Sequence, residues 1–333
     1  MQSPTLPKRL LPFFMFAAGA ITAALIIFTF NKKSVLSNAG VMLRDSTTPF
    51  IFIEPLLACD VGSTLESPSL AALKSTFTKR IQSATMGGSI VDASIYFRTL
   101  STGEWTAINI DTNYAPASLM KVPILMAYLK QAESTPDLLA YKVTVTEDPA
   151  PNTEQEIAPA NRVEVGETYT IEDLLQLMAA QSDNRALNIL MRGVNIDILD
   201  EILDDLGVPI PDEQENYTIN PRLYSRFFRI LYNATYLNDA MSERALRILS
   251  QASFTEGLQA GVPSGVAVAH KFGEAATTLT SGAPAHELHD CGIVYAPQPY
   301  ALCVMTKGAN ATALATFIAD ISDAAYTFSL HEK

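Results

Sequence analysis

Residues 114–123 read Tyr-Ala-Pro-Ala-Ser-Leu-Met-Lys-Val-Pro, and Ser118 with Lys121 makes the only S-x-x-K in the chain. The apolar run that follows, VPILMAYLKQA, predicts a helix. Proline lacks a backbone donor and is best tolerated near a helix start, so Pro123 puts Ser118 at the N-terminal end. Residues three apart on a helix share a face, which brings Lys121 to Ser118. A serine hydroxyl is a weak nucleophile until a base takes its proton. Lysine serves as that base only when burial or a neighbouring cation destabilises its ammonium form. The N–H groups at a helix N-terminus also point toward a reacting carbonyl and supply half of an oxyanion hole.

Two further polar clusters follow in order, Ser182-Asp183-Asn184 and Lys271-Phe272-Gly273. Alone, the first is ordinary turn chemistry, and a lone S-x-x-K is most often a helix cap beside a surface lysine. Together they supply the parts of one acyl-transfer site. Ser182 is the candidate proton relay to the leaving group, Asn184 offers an amide to substrate, and Asp183 holds the turn. Lys271 is the candidate second cation and anchor for a substrate carboxylate. Gly273 lets substrate backbone approach closely.

Working outward, Ser67-Pro68 opens a helix running to about Ala84, with Leu70, Leu73, Phe77 and Ile81 at spacings of three and four. Ser89 to Arg98 alternates, Ser101-Thr102-Gly103 is turn chemistry, and Trp105 to Ile110 is the partner strand. Asp148 to Arg162 reads as loop. Helices are expected at 174–180, 197–206, 221–233, 242–250 and 311–330, and strands at 266–271, 292–296 and 300–306. Strands at both ends with helices between them predict an α/β (α+β) sandwich, an antiparallel sheet flanked by helices with an inserted all-helical lobe.

With these residues the chain resembles the class A β-lactamase and penicillin-binding serine D,D-peptidase family, whose motifs are S-x-x-K, S-D-N and K-T-G. The resemblance spans about residues 87–330 and rests on Tyr114 to Pro123, on Gln181 to Asn184 and on the third cluster. It implies Ser118 as nucleophile, Lys121 as base and Ser182 as relay. It also implies substrate contacts from Asn184 and Lys271, and an oxyanion hole from the N–H groups of Ser118 and Glu274. Two departures stand out. Phe272 replaces the hydroxyl residue of the third motif. The E-x-x-L-N loop, whose glutamate activates the deacylating water, is absent; Glu213 and Glu215 are the only glutamates near its place and read as solvated loop acids. The expected function is opening of β-lactams through an acyl-Ser118 intermediate with slow deacylation. The alternatives are a D,D-peptidase acting on peptidoglycan stem peptides and a non-catalytic wall-binding module.

Leu10 to Phe30 carries no charge. At about 1.5 Å per residue it is long enough for a bilayer core of about 30 Å. It is read as an uncleaved anchor after a short cytoplasmic tail, with residues 31–49 as a stalk and 50–333 as the catalytic domain. Wall or β-lactam chemistry then places that domain outside a bacterial cell membrane. A net charge of −12 and the absence of a basic stripe argue against nucleic acid as a partner. The three cysteines, Cys59, Cys291 and Cys303, are an odd set. Cys291 and Cys303 fall on neighbouring strands and read as two small buried hydrophobes. His286-x-x-His289-Asp290 lacks a third ligand for a metal, and a Ser-His-Asp triad has no G-x-S-x-G elbow. No cofactor is indicated.

Overall fold

The computed structural model describes residues 50–55, 65–149, 155–211, 217–279 and 281–331. The segment Leu10 to Phe30, the stalk, Cys59, Glu213 and Glu215 lie outside the described residues. Among the described residues, no helix is long and apolar enough to cross a membrane.

The alternating run after Ser89 becomes β1 (Asp92–Thr99), joined by its turn to β2 (Trp105–Ile108). With β5 (Val268–Thr278), β6 (Pro284–Val294) and β7 (Tyr300–Gly308), they form one antiparallel sheet in the order β2-β1-β7-β6-β5. Both faces are covered. Side chains alternate across a strand, and the two hydrophobic clusters divide by that rule. Ala93, Ile95, Phe97, Leu302, Val304, Leu288 and Phe272 join Leu73 and Phe77 of α1 (Ala71–Met86) and Phe317, Ile318 and Ile321 of α8 (Ala311–Ser329). Tyr96, Cys291, Ile293, Cys303 and Met305 face the other way, toward the helical lobe.

That lobe holds α2 (Lys121–Ser134), α3 (Ile171–Ala179), α4 (Asn184–Met191), α5 (Ile196–Asp205), α6 (Pro221–Tyr232) and α7 (Asp239–Leu249). Local chemistry sets its helix starts. Thr170 and Asp173 form a capping box on α3, and Asp183, Asn195, Asn220 and Asn238 accept backbone N–H bonds at the starts of α4 to α7. Each such cap stabilises its helix by about 1 kcal/mol. A short hairpin of β3 (Lys142–Thr144) and β4 (Thr168–Thr170), with no sequence signal of its own, closes the loop before α3.

Three expectations change. Cys291 and Cys303 are not separate hydrophobes: they stand directly opposite each other on β6 and β7 and are joined in a disulfide. β5 and β6 are longer than their apolar cores, so His286 to Asp290 lies within a strand and not on a loop. Its alternation sends His286 and Asp290 to one face and His289 to the other, which separates the three as metal ligands. The helix expected to begin at Ser118 opens instead as a 3-10 turn, Ala117–Met120, and α2 proper starts at Lys121.

Candidate active site

The 3-10 turn carrying Ser118 is pinned from several sides. Leu119 N donates to Pro116 O at 3.0 Å, and the Tyr224 hydroxyl on α6 donates to Leu119 O at 2.9 Å. Upstream, the Ala115 peptide is held at both ends: its N–H donates to Glu287 Oε2 at 3.0 Å, and its carbonyl accepts from His289 Nε2 at 3.1 Å. Thr306 N donates to His289 Nδ1, which leaves Nε2 as the ring's donor. Tyr224 and Glu287 carried no signal in the sequence, and His289 was weighed there only as a metal ligand, because their partners here are backbone atoms far away in the chain.

The turn lies against the edge of the sheet. A Cβ at Gly273 would stand 2.7 Å from Pro116 O and 3.2 Å from Leu119 N, so only glycine lets β5 pass this close. β5 pairs only with β6, so its outer edge faces the nucleophile turn. The backbone of Glu274 follows on that strand, where the sequence placed the second oxyanion donor.

Lys121, Ser182, Asn184 and Lys271 converge. Lys121 Nζ donates to Ser182 O at 2.6 Å, Asn184 Oδ1 at 2.7 Å and Ser182 Oγ at 3.2 Å. Lys271 Nζ donates to the same Ser182 Oγ at 2.9 Å and to Phe272 O at 2.9 Å. Ser182 and both lysines are almost fully buried, and Ser118 is half-buried. An ammonium has three donors, and those of Lys121 are all placed. None of them goes to Ser118. Lys121 becomes a base for Ser118 only after losing a proton and releasing one of these partners.

Burial brings Lys121 down to about 7, opposed by the carboxylates of Asp183 and Glu274. Burial and then the neighbouring Lys121 charge push Lys271 well below the ordinary lysine range. Glu274 is raised by burial, although its carboxylate accepts from Ile157 N. Asp183 is committed to the turn, with Oδ1 taking Arg185 N and Oδ2 taking Val163 N.

Backbone strain marks the same place. Of the four non-glycine residues with positive φ among the described residues, Ala117 (48°) precedes the nucleophile and Ser182 (59°) is the relay. Such conformations cost about 1–3 kcal/mol and persist where surrounding contacts enforce them.

The family model of the β-lactamase enzyme family matches residues 76–328. The chain belongs to that family. It is therefore a serine hydrolase. No curated protein sequence is significantly similar to it. Solved β-lactamase-family structures share its fold. The TLA-1 extended-spectrum β-lactamase is 19% identical, covering 78% of this chain and 99% of that one at a TM-score of 0.65. A β-lactamase from Chitinophaga pinensis is 18% identical, with coverage of 78% and 99% and a TM-score of 0.65. PBP-A is 22% identical, with coverage of 77% and 97% and a TM-score of 0.60.

Against the β-lactamase family pattern, Phe272 is the visible departure, and its direction explains it. Register places it opposite Asp290, in the cluster that holds Phe254, with Lys271 Nζ 4.1 Å from its ring centroid. It is 2% exposed and stacks on Phe254 with ring centroids 4.5 Å apart. The ring fills core instead of standing in for a substrate-binding hydroxyl. Behind it, His270 Nδ1 meets Asp290 Oδ1 at 2.7 Å in full burial, and Leu258 N donates to Asp290 Oδ2 at 2.9 Å.

Proposed function

We propose that this protein opens β-lactams through an acyl-Ser118 intermediate that hydrolyses slowly. The observation that carries the reading is Ser182 Oγ held between two buried lysines beside the Ser118 turn. Neutral Lys121 takes the Ser118 proton as Ser118 Oγ bonds to the lactam carbonyl carbon. The developing oxyanion is held by the N–H groups of Ser118 and Glu274. The proton then passes through the Ser182 hydroxyl to the lactam nitrogen as the C–N bond breaks. Asn184 and Lys271 hold the substrate.

Slow deacylation is supported by how the nearby carboxylates are used. Hydrolysis of the ester needs a base for water. Among the described residues, Asp183 and Glu274 are the acids acting on Lys121, and both already accept backbone N–H bonds. One solved structure of a PBP-A point mutant is an acyl-enzyme complex with penicillin G. The second reading is a D,D-peptidase acting on peptidoglycan stem peptides.

An extracytoplasmic, membrane-anchored site completes the reading. The uncharged segment from Leu10 to Phe30 supports the anchor. The Cys291–Cys303 disulfide supports an oxidising compartment.

Intact-mass spectrometry after addition of benzylpenicillin, beside Ser118→Ala, tests the chemistry. A penicilloyl adduct that forms and persists on the native protein alone is the expected result. A fleeting adduct with penicillin consumed means efficient deacylation. No adduct and no consumption overturns the reading.

A further inference from the structure

Three consecutive residues outside every motif connect the two walls of the site. The Gln155 carboxamide bonds the second-motif turn twice: Nε2 donates to Ser182 O at 3.0 Å, and Oε1 accepts from Asn184 N at 3.4 Å. Glu156 Oε2 meets His286 Nδ1 of β6 at 2.8 Å. Ile157 N donates to both carboxylate oxygens of Glu274 on β5, at 2.9 and 3.2 Å, and its side chain packs against the cluster containing Phe254 and Phe272. Residues 155–157 therefore run from the turn that presents Ser182 and Asn184 to the strand that presents Lys271 and the Glu274 N–H.

The turn needs such support. Ser182 has a left-handed backbone that a serine does not favour unaided. Among the described residues, its carbonyl accepts from two side chains, Lys121 and Gln155. Lys121 must change its hydrogen bonds when it acts as a base, so Gln155 is the tie on that carbonyl that can remain in place.

We propose that Gln155 is a positioning residue for acylation, and that residues 155–157 are a strap holding the Ser182–Asn184 turn in register with β5. This rests on the acyl-serine reading above. Gln155 touches no reacting atom; it acts by keeping Ser182 Oγ between Lys121 and Lys271 and Asn184 facing the cleft.

The test is the acylation rate of the full chain against benzylpenicillin concentration, resolved into a limiting rate and a half-saturating concentration, for native protein, Gln155→Ala and Gln155→Glu. Displacements of about 1 Å at a reacting centre cost up to about 100-fold. Gln155→Ala is expected to lower the limiting rate about 10- to 100-fold, with half-saturation within about twofold and the melting temperature little changed. Gln155→Glu keeps an acceptor for Asn184 N but loses the donor to Ser182 O. Its carboxylate beside Lys121 should move the alkaline rise of the rate to higher pH, which a purely structural role would not do. Adducts forming in Gln155→Ala at the native limiting rate overturn this inference alone, as does a loss that merely tracks the melting temperature. Absence of any adduct on the native protein overturns the acyl-serine reading as well.

Discussion

Lys271 donates to Ser182 Oγ at 2.9 Å across 89 residues of chain, and this single contact joins the helical lobe to the sheet at the point where chemistry is expected. It ties the relay hydroxyl to β5 as well as to Lys121. Ser182→Ala removes the shared acceptor. Acylation by benzylpenicillin is expected to fall about 100- to 10,000-fold, the usual range for a general acid–base group, as read by adduct formation over time.

The pH dependence follows from Lys121. Its burial brings it to about 7, so below that pH it is an ammonium and cannot accept the Ser118 proton. Acylation should rise as pH passes through about 7 and level off above it. The folded value lies below the ordinary lysine value, so between the two the unfolded chain binds the extra proton. From this group stability therefore increases with pH across that window and is lost as pH falls through about 7. Single-turnover acylation rates between about pH 5.5 and 9 check the first statement, and denaturant midpoints over the same range check the second.

Phe272→Thr restores a hydroxyl residue to the third motif yet should not improve penicillin binding, because the side chain is buried against Phe254 with Lys271 Nζ over its ring. It removes a buried ring and its partner in the Phe254 stack. Large-to-small changes of this kind cost about 3–5 kcal/mol. Urea denaturation should show the loss, while the half-saturating penicillin concentration stays the same or worsens.

Gly273→Ala pushes a methyl group to 2.7 Å from Pro116 O. Backbone must move, either in β5 or in the turn that carries Ser118. Acylation should drop at least about 10-fold with the melting temperature lowered. A variant with the native acylation rate would mean that β5 and the turn are not in contact during the reaction.

The Cys291–Cys303 bond closes a loop of 12-residue separation. Loops of about this size gain about 3 kcal/mol from a disulfide on chain-entropy grounds. Protein unfolded without reductant should leave both thiols unalkylated. Cys303→Ser should lower the urea midpoint.

Much of this site was legible in one dimension. The three clusters name their residues directly, because S-x-x-K is local chemistry on a helix start and S-D-N is local chemistry on a turn. Pro68 and the alternation in β1 marked their elements for the same reason: capping and periodicity act over a few residues. The strand lengths were less visible. The outer halves of β5 and β6, through Ala276 and His286, are polar and are held in the sheet by each other.

By itself, the sequence determined which residues could do acyl transfer and in what order they occur, since those properties belong to side chains and short spacings. Tertiary structure decided everything that depends on direction and on distant partners. It packed Phe272 into the core against Phe254, with Lys271 Nζ over its ring, because strand alternation and register set the face on which a side chain lies. It bonded Cys291 to Cys303 through the β6–β7 register. It gave Lys121 its low proton affinity through burial, and it tied the second motif to β5 through Gln155 and Ile157, whose partners are 27 to 117 residues away.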